Sequence, residues 1–117
     1  MHVSSIRRAD GASVHLAVTG VVDLATGDAL RTAIHKALAA GPCTELVIDL
    51  SGVWLLDARG ITILVQARSF AAVRHTALRI TAPRGIVRRA LYLTGTLETL
   101  LAAPPATTTD VHRAVRA

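Results

Sequence analysis

The run Glu45-Leu46-Val47-Ile48-Asp49-Leu50 is nearly unbroken apolar, and a few residues later Asp57-Ala58-Arg59-Gly60 opens a helical pattern. Such a run reads as a strand covered on both sides and therefore central in its sheet. A helix that follows a buried strand and leads to another strand demands a right-handed crossover, which commits the chain to parallel pairing and an α/β fold. If a function is legible in this sequence, it is legible where that strand runs into the charged turn.

The flanking segments agree. Ser13-Val14-His15-Leu16-Ala17-Val18-Thr19-Gly20 alternates as a strand, and His2 to Arg8 makes a weaker one before it, with Asp10-Gly11 as the hairpin turn. Asp23 stands at an N-cap position, and Leu30, Ala33, Ile34, Ala37 and Leu38 recur at helical spacing until Gly41-Pro42, predicting a helix over 24–40. After the Asp57 turn a second helix presents Ile61, Leu64, Val65, Ala71 and Ala72 as its core face and Arg59, Thr62, Gln66 and Ser69 as its polar face, with Arg68 inside the core arc. Ala77 to Thr81 is a further strand. Pro83 begins a third helix with Val87, Ala90 and Leu91 inward and Gly95 as its C-cap. Leu97 to Ala102 is expected as a short edge strand, and Thr109 or Asp110 as the cap of a last helix carrying Val111, Ala114 and Val115. The order β-β-α-β-α-β-α-β-α describes a mixed sheet with about four helices packed on it.

Composition narrows the classes. The 117 residues, 51% apolar, suffice for one compact domain, so residues 1–117 are taken as a single unit. No stretch of roughly 18 apolar residues marks a membrane span. Arg7, Arg8 and Asp10 near Met1 leave no room for a secretory signal, so a cytoplasmic location is expected. Cys43 is the single cysteine and can form no internal disulfide. The net charge of +5 rests on arginine, Lys36 being the one lysine, and the high alanine and arginine content fits a GC-rich genome. Trp54, Phe70 and Tyr92 are too few to stack bases, and Arg84, Arg88 and Arg89 read as a solvated basic face, so nucleic acid is not the expected partner. The five histidines show no metal spacing, no Gly-rich phosphate loop is present, and no cofactor or catalysis is expected.

Three local patterns fall in register with this topology: Thr19-Gly20-Val21-Val22-Asp23, the segment Val47 to Gly60, and Ala82-Pro83 through Leu93-Thr94-Gly95. Together they resemble the STAS domains of bacterial anti-sigma-factor antagonists, over nearly the whole chain. The resemblance implies a non-catalytic binding module that engages an anti-sigma factor, often a kinase-like protein, and frees its sigma factor. It implies too that the turn after the central strand is a switch loop, where Asp-Ser-Ser-Gly is usual and the first serine is phosphorylated. Here Ala58 and Arg59 replace the two serines. Without the hydroxyl there is no nucleophile for a kinase at that position, so binding is expected to be constitutive or the partner to have changed.

On that resemblance Asp23, Asp57, Ala58, Arg59, Gly60, Thr62, Ile63 and Phe70 form the expected partner surface. Asp57 doubles as the helix cap, and Arg59 is read as a solvated cation offset by Asp57 or as a receptor for an acidic group. Ile63 and Phe70 fall outside the core arc and are read as a docking patch or as isolated surface residues, whereas Trp54 is assigned to core packing. Thr62, one turn beyond Ala58, and Ser51, after the central strand, are alternative phosphorylation sites; Ser69 lies further along. The alternative reading is an accessory or scaffold subunit of a transporter or stress-sensing assembly. Self-association is compatible with both.

Overall fold

The computed structural model describes residues 1–8 and 12–101. Its elements are β1 (His2–Arg7), β2 (Ser13–Val22), α1 (Gly27–Ala39), β3 (Glu45–Leu56), α2 (Ala58–Val73), β4 (Ala77–Thr81), α3 (Gly85–Leu93) and α4 (Leu97–Leu101). The four strands form one sheet in the order β1-β2-β3-β4. β1 and β2 run antiparallel, and β2, β3 and β4 run parallel, as helical crossovers require.

The register sorts the strand residues into two faces. Val14, Leu46 and Leu78 pair in one row and Leu16, Ile48 and Ile80 in the next, and all six are buried under the helices. Leu30, Ile34 and Leu38 of α1, Ile63, Leu64 and Ala71 of α2, Val87 and Leu91 of α3, and Leu97 and Leu100 of α4 join them in a single core cluster. The opposite face carries the row Ile6, His15, Val47 and Arg79. Arg79 pairs there with Glu45 at 2.9 Å, and Ile6 is 66% exposed. β3 is central, as expected, but only one of its faces lies under described helices. Val47 is buried on the other face, outside the core cluster.

Several expectations are corrected. Where an edge strand is expected over Leu97 to Ala102, Leu97–Leu101 is a helix, and its two buried leucines stand at i and i+3, a spacing that suits a helix face and not a two-residue pleat; Ala102 lies outside the described residues. β3 does not stop at Leu50. It runs on to Leu56, placing Ser51 inside the strand and turning Trp54 outward, 67% exposed, between inward Val53 and Leu56. The buried arc of α2 is rotated toward α1, so Val65 and Ala72 are exposed while Ile63 and Ala67 are buried. Arg68 is half-buried at the margin of that arc. Pro83 is buried just before α3, which begins at Gly85. Gly95, with φ +75°, closes α3 as expected. The Asp10-Gly11 turn and the helix expected after Thr109 lie outside the described residues.

Candidate functional site

The C-terminal ends of β2 and β3 lie side by side, because Val22 pairs with Leu56 and the Asp57 N–H donates to the Val22 carbonyl at 3.0 Å. The two loops that follow are thereby held together. In open sheets with parallel strands, this edge is where ligands and partners are usually met.

The first loop, Asp23 to Thr26, is a closed turn. The amides of Ala25 and Thr26 donate to Asp23 Oδ1 at 3.0 and 3.1 Å, and the Asp23 N–H donates to Thr26 Oγ1 at 2.9 Å. Asp23 thus braces a turn one step ahead of the helix, and Thr26 holds the N-cap position expected for Asp23. Leu24, at the outside of this turn, is 74% exposed. Sequence patterning counted Leu24 as the helix start and missed it as surface; the signal available was an apolar residue directly after the turn-forming aspartate.

The second loop is a single residue. Asp57 caps α2, its Oδ1 accepting from the Gly60 N–H at 3.1 Å, as expected from its position. Gly60 sits where a Cβ would lie 2.5 Å from Leu56 Cδ1 and 2.8 Å from Val22 Cγ1, so the start of α2 presses onto the strand ends only because that atom is missing. Ala58 is exposed at the first position of α2, and Thr62 is exposed one turn above it.

Arg59 departs from its expected partner. Its Nη2 donates to Asp28 Oδ1 at 2.5 Å, while Asp57 is engaged by the backbone. Asp28 belongs to the first turn of α1, where a carboxylate is favoured by the helix dipole, and Arg31 Nη1 lies 3.6 Å from the same oxygen. The Arg59 side chain crosses Gly27, whose Cβ would lie 3.1 Å from Arg59 Cγ and 2.9 Å from Ile63 Cδ1. Arg59 therefore ties the start of α2 to the start of α1. Asp28 lies 31 residues away, and no local pattern could have named it.

The other expected residues divide. Ile63 is buried against α1 at Gly27 and is not part of the surface. Phe70 is 38% exposed, its ring stacked on His35 with centroids 4.4 Å apart and the Arg74 guanidinium 5.4 Å from its centroid. A shallow hollow of about 240 Å³ beside it is lined by Arg31, His35 and Gln66. Ser51 is exposed, its N–H donating to Asp49 Oδ1 at 2.8 Å. It lies seven residues before Ala58 along extended chain, on the order of 20 Å away. The structure thus gathers Asp23, Asp57, Ala58, Arg59, Gly60 and Thr62, sets Phe70 further down the α1–α2 seam, and leaves Ser51 apart. Among the described residues no group of His, Cys, Asp or Glu gathers to hold a metal, and no helix is long and apolar enough to cross a membrane.

Comparison with known proteins places the chain in a family. Residues 6–102 match the family described as "Mlab, STAS domain". The chain is 38% identical over 80 residues to the anti-sigma-F factor antagonist RsfB of Mycobacterium tuberculosis, an alignment covering 68% of this chain. It spans 64% of that relative's length. The crystal structure of an anti-sigma factor antagonist from Mycobacterium paratuberculosis superposes with a TM-score of 0.71 at 28% identity, covering 99% of this chain and 96% of that one. The unphosphorylated form of the antagonist SpoIIAA shares the fold at a TM-score of 0.72 and 15% identity, with 97% of each chain covered.

Proposed function

Because this chain belongs to the STAS domain family, we propose that it is an anti-sigma-factor antagonist that acts in the cytoplasm by binding a kinase-like anti-sigma factor, without catalysis of its own. Its partner surface is the end of the sheet where Asp23, Asp57, Ala58, Arg59, Gly60 and Thr62 meet, with exposed Leu24 beside them. The observation that carries the proposal is Ala58. It is exposed at the start of α2, in the place that the family resemblance gives to the phosphorylated serine, and it offers a methyl group. A phosphate at that place would add roughly two negative charges and a bulky group to the surface. With alanine there, that route to release is closed, and binding is constitutive. The Arg59–Asp28 bridge supports the same reading, since it holds the two loops in one arrangement with no phosphate involved.

The test is a pull-down of the full chain from lysate of its source cells, with and without ATP, read by mass spectrometry. An anti-sigma factor retained equally in both conditions is expected. Ala58→Glu, which supplies a negative charge at the surface, is expected to reduce that retention about tenfold or more, and Ala58→Ser with Arg59→Ser to make it sensitive to ATP, with phosphate found on residue 58. Retention of a transporter subunit or of other STAS proteins, with no anti-sigma factor, would overturn the proposal.

A further inference from the structure

Helix α3 turns Val87 and Leu91 into the core, with Ala90 half-buried beside them. At about 100° per residue, its opposite side presents Arg88, Tyr92, Arg89, Leu93 and Ile86 in angular order. Ile86, Tyr92 and Leu93 are 62, 70 and 67% exposed. Single exposed apolar residues are ordinary, but three large ones on a single face of a nine-residue helix leave a patch that core packing does not account for. Adjacent side chains at i+3 and i+4 make the patch continuous: Arg89 lies between Ile86, Tyr92 and Leu93, and Arg88 beside Tyr92. Arg84 stands at the N-cap, and α3 contains no acidic residue.

The charge selects the occupant. A second copy meeting this face across a two-fold axis would set Arg88 and Arg89 against their own counterparts, and like charges at close range oppose association. An acidic surface has the complementary sign, and arginine and tyrosine around aliphatic anchors are the side chains that dominate protein interfaces. We propose that the outer face of α3 docks an acidic, apolar-studded segment of a protein partner, with Arg88 and Arg89 receiving its carboxylates and Ile86, Tyr92 and Leu93 its apolar side chains. In assigning this segment to the anti-sigma factor, the proposal rests on the reading above and names the chemistry of a second contact with it.

Two measurements test it. In the first, the isotope-labelled full chain is titrated with a short synthetic amphipathic helical peptide bearing leucine on one stripe and glutamate elsewhere, and with the same peptide carrying lysine for glutamate. The acidic peptide is expected to shift the amide resonances of 84–93, the lysine peptide to shift none, and Arg88→Glu with Arg89→Glu to weaken binding about tenfold or more while leaving the melting temperature within a few degrees. Absence of shifts in α3, or shifts confined to the Asp57 end, would overturn the proposal. So would capture of the chain through these arginines by phosphatidylglycerol vesicles when the acidic peptide does not bind, which would make this a membrane face. In the second, the charge-reversed chain replaces the wild type in the pull-down, where it is expected to lose retention of the anti-sigma factor. Undiminished retention would remove α3 from that interface and leave the antagonist reading intact, whereas the antagonist reading fails only if the wild type retains no anti-sigma factor.

Discussion

At the scale of single residues, Arg59 and Gly60 do different work within one turn. The Arg59–Asp28 pair is close, but Asp28 is 73% exposed and Arg59 37%, so solvent screens their attraction. A double-mutant cycle of Arg59→Ala and Asp28→Ala, followed by urea unfolding, is expected to give a coupling of less than about 1 kcal/mol. The contribution of the bridge is therefore geometric, orienting α2 against α1, and not a large share of stability. Gly60 is the opposite case. Gly60→Ala drives a methyl into Leu56 and the stiff β-branched Val22 and is expected to destabilise by about 1–3 kcal/mol in the same assay. Gly27→Ala meets the terminal methyl of Ile63 and the mid-chain Cγ of Arg59, side-chain atoms that can give way, and gains helix propensity, so the two terms offset and the change is expected to stay within about 1 kcal/mol of zero.

At the scale of elements, α2 is anchored at its start by a side-chain cap and α4 by burial. Asp57→Ala removes the acceptor of the Gly60 N–H and is expected to lower stability by about 1 kcal/mol; a loss below a few tenths would show that the cap is dispensable. In α4, Leu100→Ala opens a cavity beneath a five-residue helix and is expected to lose about 2–5 kcal/mol by urea denaturation. Some of these elements were legible in the sequence and others were not. The Asp57 cap acts over three residues, and the inward positions of α1 repeat over three turns, so local pattern suffices for both. Leu97 to Leu101 is five residues with three leucines, too short for period to separate helix from strand. The outward turn of Trp54 escapes local pattern for a related reason: the length of β3 is set by its pairing with β2 as far as Val22–Leu56, which involves residues more than thirty positions away.

At the scale of the whole molecule, the described helices cover one face of a four-stranded sheet, and the smallest principal extent is 20 Å. The two faces should then respond differently to truncation. Ile48→Ala, on the helix side, is expected to lose about 2–5 kcal/mol, and Ile6→Ala, on the other side and 66% exposed, less than about 0.5 kcal/mol. Equal losses would mean that the second face is covered as well. The proposed partner surface and the α3 patch are both products of this arrangement, because packing the described helices against one side of the sheet leaves particular helix faces without a neighbour among the described residues.

The sequence by itself determined the α/β class, the parallel core of β2, β3 and β4 and the family, because each of these is written in local period or in short motifs. Only the tertiary structure decided that Ile63 is buried while Leu24, Trp54 and Tyr92 are exposed, and that Arg59 answers to Asp28. The rotation of a helix about its axis and the pairing of distant charges minimise exposed apolar area and electrostatic energy over the whole chain at once, and no window of neighbouring residues contains that information.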